Sequence, residues 1–272
     1  MKRRLSRSPV QRLLWGAMLL AVWLLCSGQA AADSLGERLA AFPDWSTKPA
    51  VQPSTGDLVY PDWFEGRWQL TSTLVEMTAP LAPELMTPGF EGNRQFLNVP
   101  VTAEIRFRRA RVAGGRFLNR TLNTSLGVVS DRAFNGLSLG RAYLGEDWVR
   151  SVQTDPDDPN RQVTLLKDNQ QLVSTVTGRR TERPDEGSFI TTELFQQFFR
   201  GARPSVYLNE VENTTAYRRQ PDGLSADQVT AIYLSPKDPD YFKAVDRPVA
   251  LYRYRLTLLP LPARRAEESF LR

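Results

Sequence analysis

Gly66-Arg67-Trp68-Gln69-Leu70-Thr71-Ser72-Thr73-Leu74-Val75-Glu76-Met77 is the stretch that decides the fold class. Trp68, Leu70, Ser72 and Leu74 fall on one side of an extended chain, and Arg67, Gln69, Thr71 and Thr73 on the other. A period of two marks a strand with one face turned to a core. The alternation returns downstream through Val101, Ala103, Ile105 and Phe107. Gly114-Gly115 reads as a two-residue hairpin turn leading into a strand over 116–124, with Leu118 and Leu122 on one face. Residues 148–154, 162–167 and 171–177 follow, separated by a turn at 156–160 and a hairpin turn at Asp168-Asn169. Strands over 206–215, 228–235 and 249–259 complete the set. About nine strands on short turns predict an all-β domain, an antiparallel lipocalin-like barrel or alternatively a β-sandwich, with one or two short helices.

Two helices are expected. Ser34-Leu35-Gly36-Glu37 fits a capping box, in which serine and glutamate satisfy each other's backbone amides. Leu35, Leu39 and Phe42 would line one face of that helix, and Pro43, Pro49 and Pro53 then read as a linker. Thr192 is placed to cap a second helix over 193–200, with Gly201 at its C-terminus and Phe195, Phe198 and Phe199 at helical spacing. That aromatic stripe faces the core or forms a lid over a barrel mouth.

The chain has 272 residues, 35 Lys+Arg, 30 Asp+Glu, no His and one Cys. Lys2, Arg3, Arg4, Arg7 and Arg12 carry the whole basic excess, so the rest is neutral and a nucleic-acid partner is not expected. Without His, imidazole catalysis and His-ligated zinc or haem are excluded, and no metal or cofactor is expected. The basic start, the apolar run 13–25 and Ala30-Ala31-Ala32 form the pattern of a cleaved secretory signal over 1–32. The run is shorter than the roughly 20 residues of a membrane-spanning helix. Cys26 then leaves with the signal, so the exported domain folds without disulfides. The expected organisation is a signal (1–32), a short helix and Pro-rich linker (33–58), a β-barrel domain (59–260) and a charged tail (261–272).

Gly66-Arg67-Trp68 resembles the Gly-x-Trp signature that opens the first strand of lipocalin-type barrels. That resemblance implies that Trp68 plugs a closed end and that Arg253 or Arg255, from the last strand, stacks on it. A longer set of segments is similar to an uncharacterised family of exported proteins of cyanobacteria and plant plastids. It comprises residues 60–68, 79–83, 87–91, 131–136, 155–161, 174–179 and 195–201. This second resemblance implies residence in a thylakoid lumen or periplasm and brings no catalytic residue.

Arg106, Arg108, Arg109, Arg111, Arg116 and Arg120 gather around the expected hairpin with Glu104 as the sole acid between 101 and 125. A turn at Gly114-Gly115 would set Arg109 opposite Arg120, and a bulge near 108–110 would relieve that clash. Arg106, Arg108, Arg116 and Arg120 are candidate contacts to an anionic lipid, ligand or protein; alternatively they guard a solvated sheet edge. The loop over 78–100 is rich in proline yet carries Phe90 and Phe96, candidate contacts to an apolar ligand or membrane complex. Glu104, Asp131, Glu146, Asp147, Glu210 and Glu212 are the acids that a carboxylate-based hydrolase or isomerase would use. The leading expectation is a non-enzymatic exported binding or assembly protein; a surface-only interaction domain is the third.

Overall fold

The computed structural model describes residues 34–87, 89–113, 124–201 and 207–262. Strands β1 (Gln52–Pro53), β2 (Gly66–Thr78), β3 (Pro100–Ala113), β4 (Thr124–Ser130), β5 (Val149–Thr154) and β6 (Arg161–Leu166) occupy its first half. Strands β7 (Gln171–Glu182), β8 (Ser188–Arg200), β9 (Tyr207–Gln220), β10 (Gly223–Leu234) and β11 (Ala250–Pro260) follow. Among the described residues, three short helices are α1 (Leu35–Ala40), α2 (Arg132–Leu144) and α3 (Tyr241–Ala244). All strands but β1 join one antiparallel sheet in the order β4-β3-β2-β11-β10-β9-β8-β7-β6-β5. Trp68, Ile105, Phe107, Val128, Phe189, Leu224 and Leu258, drawn from β2, β3, β4, β8, β10 and β11, pack in one cluster. Side chains so far apart in strand order meet only because the sheet curls into a half-barrel around them. A single curled sheet replaces the alternative of a two-sheet sandwich.

Helix α2 lies across the gap between the two edges, in contact with β3 on one flank and with β5 and β6 on the other. Where β4 ends at Ser130, the Asn135 side chain takes over the ladder. Its Oδ1 accepts from Arg106 N (2.8 Å) and its Nδ2 donates to Arg106 O (3.0 Å). Gly136 and Gly140 turn to the other edge. A Cβ on Gly140 would lie 2.9 Å from Val149 Cγ2, and one on Gly136 3.1 Å from Val152 Cγ1. The two glycines thus let the helix backbone approach β5 and β6 closely. The same glycines lower helix propensity, which is why 132–144 does not read as a helix in the sequence.

The 193–200 segment is a strand and not the expected helix. Phe195 and Phe199, four residues apart, fit both periods, and full pairing with β7 and β9 decides for β8. The Gly114-Gly115 turn is also corrected. Ala113 pairs with Thr124 and Phe107 with Ser130, so residues 114–123 separate the two strands, and Arg109 faces Val128 rather than Arg120. The register runs unbroken through 107–113, without the expected bulge. The expected strand 116–124 falls mostly outside the described residues. The 43–58 segment is held to the sheet, with β1 paired to β7 at Gln52↔Arg179.

The capping box forms, with Glu37 N donating to Ser34 Oγ (3.1 Å) and Ser34 N to Glu37 Oε2 (2.7 Å). Helix α1 lays Leu35 and Leu39, followed by Phe42 and Trp45, over the outer face of the sheet against Ile190, Val229, Ala231, Tyr233 and Leu251. Beneath it Arg38 reaches the fully buried Glu212 through two contacts of 2.7 Å. The Tyr233 hydroxyl (2.7 Å) and the Thr214 hydroxyl (2.6 Å) complete the carboxylate's shell.

Candidate functional site

The inside of the half-barrel is layered. At one end Tyr60, Phe64, Phe107, Phe189 and Tyr217 make a plug of rings with centroids 4.8–6.5 Å apart. Trp63 stacks on Phe64 at 4.3 Å, and the Trp68 indole N–H donates to Phe64 O at 2.8 Å. Gly66, at φ 129°, admits the backbone turn from this plug into β2. Burial pushes the Tyr217 hydroxyl up to about 12 and the Tyr60 hydroxyl well above its ordinary value, so both stay protonated.

Behind the rings sits a layer of charge. Arg132, on the first turn of α2, and Arg179, on β7, both donate to Glu193 Oε1, at 2.9 and 2.8 Å. Arg132 also bonds Asp57 (3.2 Å), and Arg179 bonds Asn160 Oδ1 (2.9 Å). Burial alone would raise the Glu193 carboxyl, yet the two guanidiniums outweigh it and hold the group below its usual range. Two arginines face two carboxylates here, so the layer is neutral as a whole.

Beyond this layer lies a hollow of about 350 Å³. Glu193 is paired in register with Asn213, which lines the hollow. Leu70, Leu139, Tyr254 and Leu256, from β2, α2 and β11, form much of one wall, and Val211 and Ile232 add apolar surface on the other. Polar side chains from β8, β9 and β10 form the rest. Thr230 Oγ1 bonds Asn213 Oδ1 at 2.7 Å, Gln228 Nε2 reaches Thr230 Oγ1 at 3.4 Å, and Thr215 Oγ1 bonds Gln228 Oε1 at 3.1 Å. Gln197 joins them from β8, and Tyr143 donates to Ser72 Oγ at 2.9 Å. On the same inner face, among the described residues, buried Thr191 Oγ1 and Asn209 Oδ1 lack a hydrogen-bond partner. The loop over 78–100 packs on the far end. Phe90 packs on Leu74, Ala250 and Tyr252, and Leu81 and Leu85 pack on Leu234 and Val249.

A groove of about 680 Å³ lies at the ring end, between residues 59–63 and 183–188. It is the larger of the two, Leu126 on its wall is 68% exposed, and, like the hollow, it opens to solvent.

The residues singled out in the sequence divide between several places. Arg106 donates to Asp131 (2.8 Å) and lies 4.1 Å over the Phe134 ring, and Arg108 is 3.7 Å from the same carboxylate. Asp131 in turn caps α2 through Phe134 N, so these arginines anchor the helix and do not face the hollow. Arg116 and Arg120 lie outside the described residues. Phe96 stands 5.8 Å from the Tyr143 ring at the rim of the hollow, while Phe90 is core. Arg253 does not stack on Trp68. It lies on the outer face of β11, paired with Asp227 (3.0 Å) and 5.4 Å over Phe42. Arg255 shares that outer face and is exposed. The acids Glu104 and Glu210 are ion-paired with Arg67 and Lys48, and Glu212 is held under α1, so these carboxylates form no convergent pair.

The hollow's own residues escaped the sequence reading. Asn213, Gln228 and Thr230 sit at inward parity, where a pattern search expects apolar side chains. The usable signal was Asn209, Val211, Asn213, Thr215 and Tyr217, a strand with polar residues on the face that also carries valine and tyrosine.

Residues 53–261 match the family model described as a domain of unknown function, DUF6816, and the chain belongs to that family. No curated protein and no solved structure matches it.

Proposed function

We propose, for a chain whose family carries no assigned activity, that it binds a small molecule inside the half-barrel and carries or presents it without transforming it. The observation that supports this reading is the hollow behind the charge layer, with apolar and hydrogen-bonding residues converging on about 350 Å³. Its size falls in the range of small-molecule sites, which run from roughly 300 to 1,000 Å³. Carboxylate catalysis draws no comparable support. Glu193, paired in register with Asn213 of the hollow, is bound by two arginines and held ionised, which unsuits it as a general acid. The reading includes export to a periplasm or thylakoid lumen, on the signal-like pattern of residues 1–32. The test is purification from the native source and mass spectrometry under native and denaturing conditions. A small adduct present only in the native spectrum is expected. A native mass equal to the polypeptide alone, with no ligand in the organic extract, overturns the reading.

A second reading, docking on a membrane complex through the loop end, is favoured by Phe242, which is 86% exposed, and by Met86 at 43%. Crosslinking from Phe242 replaced by a photoreactive residue tests it; crosslinks confined to solvent or to random proteins refute it.

A further inference from the structure

The chemistry of the hollow narrows its ligand. None of the residues that line it is Asp, Glu, Lys or Arg. The charged groups of the layer behind it, Glu193, Arg132, Arg179 and Asp57, neutralise one another. An ion placed there would meet no opposite charge on the lining itself. Two of the four arginines expected to meet an anionic head group, Arg106 and Arg108, are bound to Asp131 beside the helix.

The polar wall has a direction as well. Asn213 Oδ1 is taken by Thr230 and Gln228 Oε1 by Thr215, so Asn213 has its Nδ2 hydrogens turned to other work. The Gln197 amide adds a donor on the same side. Across from them Leu70, Leu139 and Leu256 offer only carbon, beside the Tyr254 hydroxyl, which burial holds in its protonated form.

We infer that the hollow takes an uncharged, ring-sized molecule with an apolar body and a carbonyl-type acceptor on one edge, its apolar side on the leucines and its acceptor on Asn213. This rests on the binding reading above and goes further, because it names an uncharged ligand class for a lining without charged residues.

Three probes of nearly equal shape test it with the full chain: tetralone, which is neutral and carries one carbonyl; tetralin, which lacks it; and tetralin carboxylate, an anion. Titration calorimetry should give tetralone about tenfold tighter binding than tetralin, the worth of one buried hydrogen bond, and weaker binding still for the carboxylate. Asn213→Leu should reduce tetralone to the level of tetralin and leave tetralin unchanged, which also shows that the variant is folded. Leu139→Trp, which fills the hollow from α2, should abolish binding of tetralone and tetralin. Tightest binding by the carboxylate, or equal binding of tetralone and tetralin, overturns the inference and leaves the binding reading standing. Loss of tetralin binding together with tetralone in Asn213→Leu counts against the acceptor edge. No binding by any of the three, in protein stripped of endogenous ligand, overturns both.

Discussion

Replacing Asn135 by Ala should unseat the helix that closes the half-barrel, and the size of the effect follows from its bonds. Asn135 is 8% exposed and joins α2 to the bare edge of β3. The Arg106 carbonyl would survive the change, because Asp131 N also donates to it at 3.1 Å. The half-buried Ser130 hydroxyl, bonded to Asn135 at 2.9 Å, can turn to water. The part-buried Arg106 N–H loses its protein acceptor, which costs about 1–3 kcal/mol. Alanine returns about 0.5 kcal/mol of helix propensity. The expected net loss is about 1.5 kcal/mol, a fall in Tm of roughly 3–6 °C for a domain of this size. Urea melts give the free energy, and hydrogen exchange at the Arg106 amide locates it. Leu144→Ala, on the same helix at 52% exposure, serves as the control and should change stability by less than about 0.5 kcal/mol. An Asn135→Ala protein as stable as this control, with the Arg106 amide still protected, would refute the reasoning that a side chain stands in for the missing strand.

Acid should act through Glu193. Its folded carboxyl titrates below the usual 4.5, so its stabilising contribution is complete above that pH and is lost as pH falls through the folded value. Urea melts between about pH 3 and 7 should show a steeper acid loss for the parent than for Glu193→Gln; parallel curves would remove Glu193 from the acid limb. Arg38→Met should cost about 3–5 kcal/mol by leaving Glu212 buried without its cation, and adding Glu212→Leu should recover at least half. A single-variant loss under about 1 kcal/mol would mean that α1 does not hold the sheet. Trp68→Ala, at a site 7% exposed and bonded to Phe64 O, should cost about 3–5 kcal/mol in the same melts, and a small loss would place the indole outside the plug.

What the sequence made legible was the part governed by local rules. Asp168 and Asn169 do turn at φ 57° and 56°, the left-handed geometry of a tight hairpin. Strands β2, β5, β6, β10 and β11 fall close to where alternation puts them. The capping box of α1 is visible as four letters. The misses came where two rules agreed on the wrong answer or a distant partner decided. Phe195 and Phe199 satisfy the helical period and the strand period alike, and only pairing with β7 and β9 separates them. In α2, glycine at 136 and 140 weakens the helix signal because those positions serve contact with β5 and β6, which no local window contains. Arg106 and Arg108 looked like free charge because their partner, Asp131, is more than twenty residues away in sequence and reads as part of a loop.

The polar interior is where stability and function pull apart. A half-barrel filled with leucine and valine at positions 213, 228 and 230 would bury more apolar area and need no hydrogen-bond chain. This chain instead spends three adjacent strands on amides and hydroxyls that satisfy one another only in part, with Thr191 Oγ1 and Asn209 Oδ1 unpartnered on the same face. Each such group costs about 1–3 kcal/mol when it finds no partner. The expense is confined. Rings seal one end, the loop carrying Phe90 packs on the other, and the Glu193 layer keeps its charges paired. Plain structural need explains the two packed ends and the paired charges. It does not explain a polar wall on β8, β9 and β10 set against leucines with a hollow between them, and that arrangement is what the proposed binding reading rests on.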